Sequence, residues 1–297
     1  MQGLHFMVIG AQKCGTTTLH ELLRDHPNLA LPLNKEAPFF DSAPASFPQW
    51  QNFSRQFFGT TENRLLGKCT PQYLASSDAA KRAHALFPGM TILAMLRPPI
   101  ERTLSHYRMC LRRGQIGASF EECTEKWLQP GALAKARRAA MTAQNEADCC
   151  IAWSEYGRQL QPWIDLFGEA QVHVHFLTDL EARPAETMRQ IHSQIGVDAD
   201  WRSSKTGQQF FKGGGHTRLS RLRALRRLPW ASKLADQMIA HMPPRSAYRL
   251  QQWNETNRGK PAATPVSAET MKRLQNHFSE DLELLKQQGF NPPWGRN

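Results

Sequence analysis

The residues between Gly10 and Thr18 have the types and spacing of an anion-binding loop. Gly10 and Gly15 allow the backbone to approach an oxygen-rich group closely. Lys13 supplies a positive charge, and the threonines at the end of the loop supply hydroxyl donors. A helix that begins here would add its free amide groups and the positive end of its dipole. The segment therefore predicts a site for an oxygen-rich anion.

The sequence on both sides of this loop predicts the elements that position it. Phe6 to Ile9 is a short apolar run typical of a buried strand, and leucines at helical spacing follow the loop until His26 and Pro27. The glycine spacing matches the nucleotide-triphosphate loop G-x-x-x-x-G-K-[ST], but Thr16 stands where that motif has its lysine. An ATP-dependent small-molecule kinase is therefore an alternative that lacks a required residue.

A second candidate anion site follows another apolar run. Residues 91–96 predict a central parallel strand covered on both faces. The run ends in the pattern R-x-P-x-x-R-x-x-S-x-Y, in which Arg97 can pair with a phosphate through two hydrogen bonds. Ser105 lies two turns into the helix predicted next and adds a hydroxyl donor.

These motifs, together with Lys35-Glu36-x-x-Phe39-Phe40, resemble sulfotransferases that use 3′-phosphoadenosine 5′-phosphosulfate (PAPS). The resemblance is greatest to the heparan-sulfate glucosaminyl and bacterial carbohydrate-type branch. It implies an α/β, P-loop-like, three-layer fold with a central, mostly parallel sheet flanked by helices. It also implies PAPS as the donor, adenosine 3′,5′-bisphosphate (PAP) as the product, and no metal. The implied donor-binding residues are Lys13, Cys14, Gly15, Thr16, Thr17, Thr18, Arg97, Ser105, Arg258, Gly259 and Lys260.

The same resemblance implies the catalytic residues. In that family the glutamate at the position of Glu36 faces the acceptor and acts as the general base, since an attacking alcohol must lose its proton. Lys35 is its charged neighbour and would help to orient the sulfuryl group. Lys13 is expected to stabilise the negative charge that develops on the departing phosphate.

Lys68 is a further catalytic candidate, but its position is shifted. The family's third strand has a lysine where this chain has Cys69, and the lysine here falls one residue earlier. On a strand such a shift turns a side chain to the opposite face, so whether Lys68 reaches the sulfuryl group stays open. Phenol and steroid sulfotransferases have a basic histidine where this chain has Pro71, which favours Glu36 as the base.

The chain is predicted to form a single domain over residues 1–297, in which residues 201–250 are basic, helical and unlike the family. Between residues 218 and 228, arginines alternate with leucines in the pattern of a basic amphipathic helix. This helix would contact an anionic surface or attract an acidic acceptor, unless it is a solvated face over packed leucines. The basic loop 258–260 is expected to close over the nucleotide.

Residues 145–167 predict one continuous helix. Within it, Tyr156 is expected either to line the acceptor or nucleotide pocket or to belong to the core. The aromatic stretch 47–58 suggests a partly apolar acceptor.

Composition limits the remaining possibilities. The chain has 297 residues, is 40% hydrophobic and carries a formal charge of +11, which favours an acidic ligand. Neither a signal peptide nor an apolar run of the roughly 18–20 residues that span a bilayer is evident, so we expect a cytoplasmic enzyme. A basic protein that only binds polyanions is the second alternative.

The sequence predicts neither a disulfide nor a metal site. The six cysteines lack C-x-x-C spacing, which indicates free thiols. His173 and His175 share a strand face but have no third ligand at suitable spacing. The expected partner is a carbohydrate, lipid or secondary-metabolite acceptor with a reactive hydroxyl or, less favoured, an amine. No nucleic-acid partner is expected, and the oligomeric state stays open.

Overall fold

A computed structural model describes residues 2–32, 34–41, 45–59, 61–139, 145–206 and 264–294. Residues 1–208 and 265–297 group together as one compact unit. At its centre is a five-stranded sheet with the order β2-β3-β1-β4-β5, in which every neighbouring pair is parallel. This arrangement confirms the predicted α/β fold. The strands are β1 (Phe6–Gly10), β2 (Leu29–Ala30), β3 (Leu65–Cys69), β4 (Thr91–Leu96) and β5 (Val172–Phe176).

The central position of β1 follows from its apolar sequence. All five residues of β1 are buried, as expected for a parallel strand covered on both faces. Phe6 pairs with Gly67 on β3 and with Thr91 on β4. A Cβ atom at Gly67 would lie only 2.0 Å from the Phe6 ring, so glycine lets the large ring pack against the neighbouring strand.

Helices alternate with the strands along the chain, as the predicted α/β fold implies. The structure describes α1 (Thr16–Asp25), α2 (Phe47–Phe57), α3 (Ser77–Leu86), α4 (Pro99–Arg113), α5 (Phe120–Trp127), α6 (Pro130–Arg138), α7 (Tyr156–Phe167), α8 (Leu177–Ala182), α9 (Pro184–Ile195) and α10 (Ala268–Gln287). Among the described helices, none has the length and apolar character that a bilayer crossing requires. The sequence analysis missed α8, a single short segment directly after β5.

Trp50 and Phe53 of α2, together with Phe58 directly after it, belong to the core, whereas Phe47 is exposed. Trp50 and Phe58 are buried, and the Trp50 ring packs edge-on against Phe39 and Phe87. The indole Nε1 of Trp50 donates a hydrogen bond to the carbonyl of Gln2. Packing beneath α2 therefore consumes the apolar surface of Trp50 and Phe58, and the suggestion of a partly apolar acceptor stays a prediction.

The prediction of one continuous helix over residues 145–167 is also wrong. Two short 3₁₀ turns, Glu146–Cys149 and Ala152–Ser154, precede α7. The Ser154 hydroxyl lies 2.8 Å from the Thr103 hydroxyl, and the guanidinium of Arg102 donates to both Cys150 O and Ser154 Oγ. These buried bonds to α4 hold the segment in tight turns, so tertiary contacts override its helical pattern.

The C-terminal helix α10 is fixed to the start of α7. The carboxylate of Asp281 accepts hydrogen bonds from the backbone amides of Gly157 and Arg158, at 3.0 and 2.9 Å. Glu155, which is 2% exposed, pairs with Arg137, with Arg158 and with His277 of α10. This buried carboxylate therefore ties three separate parts of the chain together.

Two predictions concern residues outside the described ranges. The basic amphipathic helix 218–228 and the candidate loop formed by Arg258, Gly259 and Lys260 both lie there. Their proposed roles, and the prediction of a single domain over the whole chain, stay predictions.

Candidate active site

The loop after β1 lies at the topological switch point of the sheet. β1 has β3 on one side and β4 on the other, and ligands of open α/β sheets bind at the carboxyl ends of strands at such a point. Gly15 immediately precedes α1 in a left-handed conformation with φ 78°, and no described side chain caps the first amides of that helix. These amides are therefore suited to bind an anion.

Close packing explains both glycines of the loop. A Cβ atom at Gly15 would lie 2.5 Å from a methyl carbon of Leu177, and one at Gly10 would lie 2.5 Å from Cβ of Leu74. Lys13 also has a left-handed backbone, with φ 74°, although it is not glycine. A strained lysine at the tip of an anion-binding loop is a feature expected of functional sites.

The threonines of the loop occupy the first turn of α1. Thr16 is buried, whereas Thr17 and Thr18 are half-exposed. The backbone carbonyl of Thr16 accepts a weak bond from the Cys69 thiol at 3.7 Å. Cys69 therefore points toward α1 and contacts its first turn.

A buried tyrosine connects the two predicted anion sites. The hydroxyl of Tyr156 donates to the backbone carbonyl of Arg97 at 2.9 Å and lies 3.6 Å from Sγ of Cys14. Tyr156 is fully buried, so it belongs to the core, and it positions both loops without lining a pocket. Burial raises the pKa of the Cys14 thiol, which makes it a packing group and not a reactive thiolate.

Arg97 stands directly after β4, beside the first loop. The backbone amide of Ala11 donates to the carbonyl of Met95 at 2.8 Å, which fixes the end of β1 next to the end of β4. The Arg97 guanidinium is 31% exposed and pairs with Glu101 at 2.9 Å. Ser105 is half-buried two turns into α4. The structure thus brings together the two predicted donor-binding segments.

The first loop is supported from beneath by buried polar groups that the sequence analysis did not identify. Arg102, which is fully buried, donates to the carbonyl of Gln12 at 2.9 Å. The side-chain amide of Gln12 donates to Glu146 at 2.6 Å, and Glu146 also pairs with Arg113. The spacing R-x-x-x-x-R could have identified Arg102 from the sequence, because it follows Arg97 in the same motif. Nothing in the sequence around Glu146 indicated that it would contact the loop.

Glu36 and Lys35 lie after β2, at the same edge of the sheet. Their side chains form an ion pair at 2.9 Å, and the amide of Gln72 donates to the second Glu36 oxygen at 3.3 Å. Burial raises the pKa of Glu36, but the nearby Lys35 charge, the Lys35 hydrogen bond and Gln72 outweigh it, so the pKa lies below its ordinary value. With 42% of its side chain exposed, Glu36 is an accessible carboxylate.

Lys68 is the catalytic candidate whose reach the sequence left open. Its side chain is fully buried, and its ammonium donates to the carbonyl of Ala37 and to the hydroxyl of Thr70. Burial lowers its pKa to about 8. The one-residue shift has turned Lys68 beneath the loop that carries Glu36, so direct contact with a sulfuryl group does not fit this placement.

The site as a whole combines four segments that follow the carboxyl ends of adjacent parallel strands. The loop after β1 lies between the Lys35–Glu36–Gln72 group on one side and Arg97 on the other. Such a site can bind a polyanion and supply a carboxylate to a neighbouring group. Sequence reasoning had not identified Gln72 as part of it; its position three residues after Cys69, at the end of β3, was the available signal.

Comparison with known proteins agrees with this geometry. Residues 4–211 match the family model described as the sulfotransferase domain. The chain belongs to this family. A match to this domain supports sulfuryl transfer and supports neither the kinase nor the non-catalytic alternative.

The sulfotransferase domain of this chain has curated relatives. It is 33% identical over 109 residues to membrane-associated sulfotransferase kil1 of Dictyostelium discoideum. This match covers 36% of this chain and 23% of kil1. It is 25% identical over 191 residues to heparan sulfate glucosamine 3-O-sulfotransferase 3A1 of Mus musculus, covering 64% and 45% of the two chains. This chain thus matches less than half of the length of either relative.

A solved structure shares the fold. The sulfotransferase from Alicyclobacillus acidocaldarius superimposes with a TM-score of 0.67 and 19% identity, and the match covers 98% of each chain. At this identity the likeness supports the fold alone, which agrees with the five parallel strands described above.

Proposed function

We propose that this sulfotransferase transfers the sulfuryl group of PAPS to a hydroxyl group of a carbohydrate acceptor. The carbohydrate class is supported by the relative that is named for heparan sulfate glucosamine 3-O-sulfation. Relatives are named for sulfation at oxygen and at nitrogen, so the hydroxyl is proposed because the Glu36 carboxylate could accept its proton, and an amine is the second acceptor to test. Lipid and secondary-metabolite acceptors are the other classes to include in the assay.

One observation carries the proposal. The loop after β1, with its uncapped helix amides and left-handed Lys13, lies between an accessible carboxylate at Glu36 and a partly exposed guanidinium at Arg97. A 5′-phosphosulfate in this loop would therefore have a base on one side and a cation for its 3′-phosphate on the other. Sulfuryl transfer from PAPS requires a base beside the sulfuryl group and a cation beside the 3′-phosphate, and the arrangement provides both.

The reaction follows from these positions. Glu36 accepts the proton of the acceptor hydroxyl while its oxygen attacks sulfur, and the bond between sulfur and the bridging phosphate oxygen breaks. The electron pair stays on the 5′-phosphate of PAP, where Lys13 and the first amides of α1 stabilise the added charge. Arg97 and Ser105 hold the 3′-phosphate, and Lys35 holds Glu36 in its ionised form.

The charge state of Glu36 suits this role. Because its pKa lies below the ordinary value, the carboxylate is ionised at neutral pH and is ready to accept a proton. A carboxylate with a lowered pKa is a weaker base. The departure of the phosphate must therefore supply part of the driving force for the reaction. Gln72 and Lys35 each hold one oxygen of Glu36, which fixes the direction of the carboxylate.

The test replaces Glu36 by glutamine, which keeps the shape and removes the base. With ³⁵S-labelled PAPS and desulfated heparan sulfate, we expect Glu36→Gln to lower kcat by at least about 100-fold, the usual contribution of a general base. Calorimetry should show PAP binding within about two-fold of the unaltered chain. Glu169→Gln, at an exposed position beyond α7, is the matched control and should change neither quantity.

Two results would contradict the proposal. Undiminished turnover in Glu36→Gln would remove the base assignment while leaving the donor site intact. Transfer to a lipid or an aromatic alcohol, with no transfer to any saccharide offered, would instead remove the carbohydrate assignment. The two failures are distinguishable because the first concerns a variant and the second concerns the acceptor panel.

A further inference from the structure

A cluster of metal-ligating side chains lies outside the site described above. His106, Cys110 and Cys150 each contribute a ligand atom, and these three atoms lie within 4.8 Å of one another. All three residues are completely buried. Two cysteine sulfurs and an imidazole nitrogen are ligands that favour Zn²⁺ over Mg²⁺ or Ca²⁺.

The imidazole of His106 is the second observation that points to a ligand. Neither Nδ1 nor Nε2 has a hydrogen-bond partner among the described residues, although both atoms are buried. A buried polar group without a partner costs free energy, so such a group in a folded protein calls for an explanation. A bound cation would satisfy one of these nitrogens and remove the cost.

The ligands are arranged on rigid supports. His106 and Cys110 are four residues apart on α4, which places them on the same face of the helix. Cys150 reaches them from the turn after residues 146–149. The ring of Trp153 stacks on His106, with centroids 5.5 Å apart and an interplanar angle of 23°, and so holds the imidazole in place.

The surroundings suit a dehydrated metal ion with thiolate ligands. Cys110 and Cys150 belong to a hydrophobic cluster that also contains Phe120 and Ile151. The guanidinium of Arg102 donates to the carbonyl of Cys150 at 3.0 Å, which fixes the backbone that carries this ligand. Glu146 lies beside His106, with 3.9 Å between Oε1 and Nε2, and adds a carboxylate to the same neighbourhood.

We propose that His106, Cys110 and Cys150 form a structural Zn²⁺ site, with the adjacent Glu146 carboxylate as the fourth ligand. Binding would replace the two thiol protons, which pass to solvent, by two zinc–sulfur bonds. Tetrahedral zinc with bonds of about 2.0–2.3 Å needs ligand atoms closer together than 4.8 Å, so the side chains must contract slightly around the ion. Ser105, a predicted donor-binding residue, directly precedes His106 on α4. The ion would therefore stabilise the helix that carries Ser105.

This inference departs from the sequence-based expectation of no metal. That expectation relied on ligand spacing along the chain, and Cys150 comes from a different segment than His106 and Cys110. Only the packing of the 145–154 segment against α4 brings the three together. The site concerns folding and donor-site rigidity, and no catalytic step is assigned to the ion.

The experiment measures metal binding by the full chain. After removal of metal with a chelator, the purified reduced protein is titrated with Co²⁺ and then Zn²⁺. We expect one equivalent per chain, thiolate-to-cobalt charge-transfer absorption, and displacement of cobalt by zinc. Cys110→Ser and Cys150→Ser should each weaken zinc binding by at least about 100-fold.

Cys149→Ser is the matched control. Cys149 is equally buried and adjacent to Cys150, but its thiol points to the carbonyl of Ala136 at 3.8 Å. It should retain the zinc affinity of the unaltered chain. A second readout avoids variants altogether: Zn²⁺ should slow alkylation of Cys110 and Cys150 by at least about ten-fold relative to Cys149.

Three results would overturn the proposal. One is zinc binding that is substoichiometric or weaker than micromolar. The second is equal zinc affinity in the unaltered chain and Cys110→Ser. The third is recovery of the reduced protein as a Cys110–Cys150 disulfide in the presence of zinc, which would identify the pair as a redox couple.

Discussion

Lys68 offers the most quantitative test of the buried charge beneath the Glu36 loop. Its ammonium is fully buried, and burial lowers its pKa from 10.5 to about 8. The change Lys68→Met keeps the length of the side chain and removes the ionisable group. The pH-dependent part of the stability difference between the two proteins then reports mainly on this ammonium and on the charges beside it.

The magnitude follows from the two pKa values. An unfolded lysine keeps its proton up to about pH 10.5, whereas the folded one releases it near pH 8. The unfolded state therefore binds more protons between these values, and the free energy of unfolding rises with pH. Each pKa unit corresponds to about 1.4 kcal/mol, so we expect the unaltered protein to gain about 2–3 kcal/mol over Lys68→Met between pH 7 and pH 10.

The assay is urea unfolding of both proteins at several pH values, monitored by tryptophan fluorescence. The quantity of interest is the difference in unfolding free energy between them, followed from pH 7 to pH 10. Lys81→Met, on the exposed surface of α3, is the control and should show a change smaller than about 0.5 kcal/mol. A difference that stays constant with pH, or that falls as pH rises, would refute the burial of a strained ammonium at Lys68.

Three further predictions concern Lys13, the Arg97–Glu101 ion pair and the buried carboxylate of Glu155. Lys13→Gly should be more stable in thermal unfolding than Lys13→Ala, by about 0.5–1 kcal/mol, because only glycine is unstrained at this φ of 74°. Glu101→Gln should tighten PAP binding by about two- to five-fold in calorimetry, since Arg97 no longer has to leave a partly exposed ion pair. Burial raises the pKa of Glu155, but its bonds to His277, Arg137 and Arg158 lower it overall from 4.5 to about 2. The unfolding free energy should therefore fall by about 2 kcal/mol between pH 6 and pH 3, and Glu155→Gln should lack this acid-dependent loss.

Those three predictions have separate contradicting outcomes. Equal stability of the two Lys13 variants would remove the strain argument. Weaker or unchanged PAP binding in Glu101→Gln would show that the acidic partner does not compete with the ligand. The same acid dependence with and without Glu155 would assign the slope to other carboxylates.

The parts of the site that were predictable from the sequence are local. The loop, its glycines and the strand before it are contiguous, so their spacing in the chain is their spacing in space. The same holds for the strand that ends at Arg97 and for the helix that follows. A parallel sheet then places the ends of these strands at one edge without further information.

The sequence-based predictions that were wrong or incomplete concern contacts between segments that are distant in the chain. The helical pattern of residues 145–167 gave no sign that Arg102 and Thr103 on α4 would hold Ser154 in a tight turn. Likewise, no local pattern distinguishes a pocket-lining tryptophan from Trp50, which packs beneath α2. For Lys68 the one-residue shift was visible, but the carbonyl of Ala37 that receives its ammonium was not.

The most direct test of the donor site is calorimetry with PAP and with adenosine 5′-monophosphate, which lacks the 3′-phosphate. We expect one PAP per chain, and binding at least about ten-fold weaker in both Lys13→Ala and Arg97→Ala, the loss typical of one charge-assisted hydrogen bond. Adenosine 5′-monophosphate should be sensitive to Lys13→Ala but not to Arg97→Ala. Absence of PAP binding at millimolar concentration, or PAP binding that is unaffected by the loss of Lys13, would contradict a nucleotide held between these two loops.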